Sequence, residues 1–153
     1  MTGSPSQRRG FFVDHDDLCA MSRRLIVAGA ALMAFAVLLG AFGAHGLKAR
    51  LGPEALGQWR TGVEYQFYHA LGLLLAGAMG GRIPAPRGRV VAWLFSGGIA
   101  SFSGSLYLLS AKDLIGLSAI GAVAGPLTPI GGLLFVAGWC VLFITALRQH
   151  DAR

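Results

Sequence analysis

Four long apolar stretches, at residues 25–44, 65–81, 90–110 and 127–147, constrain this chain more than any other feature, because none carries a charge in its interior. Each is close to the ~20 residues that a helix needs to cross a bilayer's hydrocarbon core. A soluble domain of this size would alternate apolar and polar faces, whereas these stretches are apolar most of the way round. The expected fold class is therefore all-α and membrane-embedded, four transmembrane helices in an antiparallel bundle.

With 54% apolar and 13% charged residues among 153, no sizeable soluble module fits beside the spans. One domain is expected over 21–148, preceded by a polar, disordered tail at 1–20 and followed by a short tail at 149–153. Met21 precedes Ser22, Arg23, Arg24 and then the first apolar run at once, as a short cytoplasmic N-terminus does, and is read as the natural start. Ser22-Arg23-Arg24 imitates a twin-arginine signal, but the apolar run is longer than the ~7–15 residues of a signal core, so a retained anchor is expected.

The net charge of +6 does not point to nucleic acid, because Lys and Arg sit in tails and loops rather than on a basic helix. Their placement instead reports topology. One side of the membrane would hold Arg8, Arg9, Arg23, Arg24, Arg82, Arg87, Arg89, Arg148 and Arg153, the other only Lys48, Arg50, Arg60 and Lys112. Both termini are thus expected in the cytoplasm. Cys19 in the tail and Cys140 in the last stretch show no spacing that suggests a bridge.

Between the first two spans, Gly52-Pro53-Glu54 has the proline and acid of a helix start. Leu56, Trp59, Val63 and Phe67 follow at helical spacing, which predicts a short amphipathic helix at the outer interface running into the second span. Trp59 and Tyr65 would then lie at headgroup depth. Small residues, among them Gly40, Gly43, Gly97, Ser101, Ser105, Gly131, Gly132 and Gly138, suit close helix packing in lipid.

No span carries Asp, Glu, Lys or Arg between its ends, which argues against proton pumps, voltage sensors and most ion-coupled transporters. No phosphate loop, cysteine metal cluster or nucleophile elbow occurs. Polar residues remain: His45, Glu64, Tyr65, Gln66, Tyr68, His69, Ser103, Ser105, Tyr107, Ser110 and Thr128. The expected topology puts them in the outer half of the bundle. They can lock helix to helix, in which case His69→Ala would cost about 1–2 kcal/mol as a lost interhelical hydrogen bond. Alternatively they can line a pocket for a small molecule or metal, or for haem if His45 and His69 reach similar depths. A two-histidine metal site would lack further certain ligands.

The segments at 40–47, 65–71, 103–108 and 128–132, together with Ala137-Gly138-Trp139, resemble uncharacterised protein family 0382. This family is also called domain of unknown function 423; it has YgdD-type bacterial inner-membrane members and an animal relative, transmembrane protein 256. The resemblance covers roughly residues 21–148. It implies a small multi-pass inner-membrane protein with no established activity, and supplies no catalytic residues or cofactor. The expectation is a non-enzymatic structural or accessory component of a bacterial inner (plasma) membrane. Its partners would be the lipid bilayer and other membrane-protein subunits or a second copy of itself, with no nucleic acid.

Overall fold

The computed structural model describes residues 15–150, and among these all regular structure is helical, with no strand. Helix α1 (His15–Phe42) runs on through a π-helical turn, Gly43–Leu47. Helix α2 spans Pro53–Ala78. Helix α3 (Ala85–Gly98) and α4 (Gly104–Ala111) are joined by a second π-helical turn, Ile99–Ser103, into one rod, and α5 spans Gly121–His150. The four rods pack into a single helical body. Three of them, Asp16–Leu47, Ala85–Ala111 and Gly121–Arg148, are long and apolar enough to cross a membrane by length and composition.

Several expected boundaries move. Helix α1 begins at His15, so residues 15–20 are helical rather than a disordered tail, and residues 1–14 lie outside the described residues. Asp16 and Asp17 suit the positive end of its dipole, while Met21 and Leu25 are buried against Gly88 of α3. The amphipathic segment is not a separate helix. From Pro53 at its first turn to Ala78, α2 is uninterrupted, because helical hydrogen bonding and a continuous buried stripe (Leu56, Trp59, Gln66, Ala70, Leu73, Ala76) run through it. Helix α5 likewise starts before residue 127 and carries Pro126 and Pro129 inside it. Proline is tolerated in such helices where neighbours re-satisfy the freed backbone groups.

Helix α2 is the central element. Along α1, Gly77 meets Ile26 and Ser22, Gly29 meets Ala70 and Leu74, and Gly40 meets Val63. A Cβ on Gly29 would come within 2.9 Å of the Ala70 carbonyl oxygen, so glycine sets how closely these helices approach. On its other flank Gly72 meets Phe95 of α3 and Gly62 meets Tyr107 of α4. The α3–α4 rod packs in turn on α5 through Gly98 against Phe135, Gly131 against Phe102 and Gly138 against Phe95. A cluster of Leu73, Val91, Phe95, Ile99 and Phe135 forms the core between them. The outer surface is largely apolar, with Leu38, Trp93, Val123, Leu133 and Phe143 all more than half exposed. Gly80, at φ +56°, turns the chain out of α2 in a conformation that favours glycine.

Candidate functional site

The polar residues fall into separate sets rather than one cluster. The first is centred on Gln66, whose side chain is 1% exposed. Its Nε2 donates to the Leu32 carbonyl of α1 at 2.9 Å, and its Oε1 accepts from the Tyr107 hydroxyl of α4 at 3.0 Å. One side chain therefore ties three helices. Beside it the Trp59 indole donates to the Leu39 carbonyl at 2.9 Å, with its ring 4.7 Å from Tyr107 and 5.9 Å from Phe42. Trp59 is thus a buried wedge between α1 and α4, level with the end of the 25–44 apolar stretch of α1. Gly43 is what admits the indole: a Cβ there would lie 2.6 Å from Trp59 Cδ1.

His69 heads the second set. Its Nδ1 donates to the Tyr65 carbonyl of its own helix at 2.7 Å, which leaves Nε2 as the lone-pair nitrogen in the neutral ring. The ring stacks on Phe135 at 3.4 Å and 8°, with Phe95 edge-on at 5.3 Å. Tyr65, although exposed, stacks on Phe102 at 4.6 Å. His69 thus holds α2 to α5 through ring packing, not through an interhelical hydrogen bond. His69→Ala is accordingly expected to destabilise the protein by about 2–3 kcal/mol by leaving a void among aromatic rings. His69→Phe should restore most of that loss in a thermal melt in detergent, because it keeps the ring and not the hydrogen bond.

Ser105 and Thr128 form the third set, hydroxyl to hydroxyl at 2.7 Å between α4 and α5. The stripe Gly97, Ser101, Ser105 faces α5, as its spacing suggests: Gly97 meets Leu134 and Ser101 meets Gly131. Ser110 donates back to the Leu106 carbonyl at 2.6 Å. Ser103 is fully buried and its Oγ has no partner among the described residues.

His45, Glu64 and Tyr68 stand apart, exposed on the outside of the bundle. The His45 Nδ1 donates to the Ala41 carbonyl at 3.0 Å within its own helix. Since Gly29 meets Ala70 and Leu32 meets Gln66, His45 lies about four turns, roughly 20 Å, along the axis from the level of His69. The two histidines do not share a depth and cannot bind one haem iron as an axial pair. The contacts of Gln66 with Leu32 and of His69 with Phe135 place both about halfway along their neighbouring helices. Among the described residues no group of three or more His, Cys, Asp or Glu is disposed to hold a metal ion. The larger cavities are open grooves. One of about 550 Å³ lies beside Ala20, Arg23, Arg24 and Ala31, one of about 420 Å³ beside Leu18, Ser22, Ile26 and Gly81, and another of about 360 Å³ between Glu54, Gln58 and Lys112. None of these includes Gln66, His69 or Tyr107.

Of these contacts, the wedge of Trp59 and the packing of Phe95 against Gly72 and Gly138 have no sequence signal: an aromatic ring and a glycine on different helices announce nothing until they meet.

Comparison with known proteins places this arrangement in a family. Residues 39–132 match the model described as protein of unknown function (DUF423). The chain is 39% identical over 123 residues to the UPF0382 membrane protein SH2409 of Staphylococcus haemolyticus, covering 80% of this chain and 94% of that protein. It is 38% identical over 124 residues to the UPF0382 membrane protein YwdK of Bacillus subtilis, covering 80% and 95%. With the UPF0382 membrane protein SSP2132 of Staphylococcus saprophyticus the identity is 42% over 123 residues, covering 80% and 96%. No solved structure matches. The matched segment takes in the Gly43–Leu47 turn, all of α2 and the α3–α4 rod, and the chain belongs to the DUF423 (UPF0382) family of membrane proteins of unknown function.

Proposed function

We propose that this protein is a four-span, non-enzymatic component of the bacterial plasma membrane, with both termini cytoplasmic, that acts as a structural or accessory partner in a membrane assembly. The observation that carries this reading is the fate of α2's polar side chains. Gln66 is spent on Leu32 and Tyr107, and His69 on Tyr65 and Phe135. Each group is spent on neighbouring helices or on its own backbone rather than on a shared cavity, which favours a structural lock over a binding pocket.

Helix α2 falls outside the three apolar candidate spans because of Glu54, Arg60, Glu64 and its central polar residues. Its 26 residues nevertheless extend about 39 Å, more than the ~30 Å hydrocarbon core. Contacts from Gly77–Ser22 to Trp59–Leu39 run in opposite senses along α1 and α2. A helix wrapped by protein can carry polar groups that a lipid-facing one cannot. These features support an antiparallel, four-span arrangement. The arginine-rich side, with Arg23, Arg24, Arg82, Arg87 and Arg89, then faces the cytoplasm. Reporter fusions after residue 50 and at the C-terminus test the topology: the first should be active only as an outside reporter, the second only as an inside one.

The accessory role is tested by native mass spectrometry of protein gently extracted from its own membrane, with an absorption spectrum of the same sample. A co-purifying subunit without a small molecule is expected. A retained ligand, lost when Gln66 or His69 is replaced in a variant that still folds, would overturn the reading in favour of a binding protein.

A further inference from the structure

Arg23 and Arg24 stand exposed on α1 directly before its apolar stretch at 25–44, where a spanning helix meets the membrane surface. Gly88 lets α3 come close at this level, since a Cβ there would lie 3.0 Å from Met21 Cγ. That approach sets Arg89 of α3 beside Arg24. The two line a small cavity of about 70 Å³ together with Asp17, Ala20, Met21 and Ala85. Among the described residues none of the three guanidinium groups forms an ion pair or a hydrogen bond. Arg23 and Arg24 also head a larger groove of about 550 Å³, whose other walls are Ala20, Val27, Ala28 and Ala31. From Arg24 to Ala31 this groove follows α1 for two helical turns, roughly 10 Å, into the apolar stretch. The three alanines keep it open, because longer side chains at those places would fill it.

We propose that this is a binding site for one anionic phospholipid of the cytoplasmic leaflet, its phosphate held by Arg24 and Arg89 with Arg23 at the mouth, and one acyl chain laid along Val27, Ala28 and Ala31. The site rests on the reading that α1 spans the membrane with this end at its cytoplasmic surface. Charge and shape choose the occupant together. Three cations against the one carboxylate of Asp17 select an anion, and guanidinium forks from two helices suit phosphate oxygens. Basic pockets between helices on the cytoplasmic side take headgroups of this kind. A soluble phosphate would leave the apolar trough beyond the arginines empty, and a zwitterionic lipid would leave their positive charge uncompensated. An anionic lipid supplies head and chain in the order in which the groove presents them.

The test is native mass spectrometry of the protein released from nanodiscs of phosphatidylglycerol and phosphatidylcholine in equal parts. Phosphatidylglycerol should be retained in preference. Arg24→Gln or Arg89→Gln should each lower its retention about five-fold, and the two together about twenty-five-fold. Arg60→Gln on α2 should leave it unchanged. Ala31→Trp fills the trough and keeps every arginine, so it should lower retention as well. Arg24, Ala31 and Arg89 are all exposed, so these variants should elute from size exclusion as the parent does. Equal retention of both lipids by the parent overturns the proposal, as does undiminished phosphatidylglycerol in the double arginine variant. Undiminished retention in Ala31→Trp, with inorganic phosphate displacing the lipid, overturns it in favour of a free-anion site. Inverted reporter fusions would overturn the topology and with it the leaflet, whereas fusions as expected with no lipid preference remove the site alone.

Discussion

Replacing Gln66 with alanine is expected to lower the stability of the bundle by about 2–4 kcal/mol, the largest loss from any one polar side chain. Interhelical hydrogen bonds in membranes contribute about 0.6 kcal/mol on average and up to about 1.7. Gln66→Ala removes two of them, to the Leu32 carbonyl and from the Tyr107 hydroxyl. It also leaves that hydroxyl without a partner and opens a void where a side chain only 1% exposed had been. Gln66→Leu fills the void without restoring the bonds, so it should recover roughly half of the loss. Thermal unfolding in detergent followed by size-exclusion chromatography measures both. A Gln66→Ala protein as stable as the parent would mean that the three-helix tie among α1, α2 and α4 does not hold the bundle together.

Adding one methyl group at Gly131 should be almost as damaging. A Cβ there would collide with the Phe102 backbone nitrogen and lie 2.7 Å from both Phe102 Cβ and Ser101 Oγ. Backbone cannot step aside as a flexible side-chain end can, so α5 and the α3–α4 rod must separate. That separation weakens the Ser105–Thr128 hydrogen bond and the packing of Phe102 against Phe135, 5.6 Å between centroids. Overpacking of this kind costs about 1–3 kcal/mol, and Gly131→Ala is expected at the top of that range. Gly125→Ala in the same helix is the control. Nothing lies within 4 Å of its Cβ position, so that variant should be neutral or gain up to about 1 kcal/mol from helix propensity. Equal effects at both positions would show that glycine acts through helix propensity rather than through close approach.

Both sites show how far the sequence could be read. Gly131 and the stripe Gly97, Ser101, Ser105 were legible as helix contacts, because small residues at fixed spacing have few other uses between apolar helices. That Gln66 needs hydrogen-bond partners was legible too, since an amide in an apolar surrounding must be satisfied. Its partners were not. Leu32 contributes a backbone carbonyl, which no residue type advertises, and Tyr107 is 41 residues away. The lateral seat of Trp59 was not legible for the same reason: an indole suits an exposed or a buried position equally well, and the gap left by Gly43 admits it between helices. His45 and His69 looked like a pair because both are histidines near the ends of apolar runs. Helix α2, however, extends back to Pro53, which slides its polar middle inward and leaves His45 several turns away.

What followed from the chain alone is what depends on local periodicity and on the cost of exposing backbone to lipid. These dictate helices, their apolar exteriors and the small residues between them. What only the tertiary structure decided is register, the level at which each residue of one helix meets the next. Register is set by non-local fits such as Trp59 into Gly43, Phe95 into Gly138 and Gln66 onto Leu32. It sets Glu64 and Tyr65, both exposed, level with residues between Leu32 and Gly40 of α1. The reason is that a hydrophobic run reports where a helix can be greasy, while packing reports where it lies.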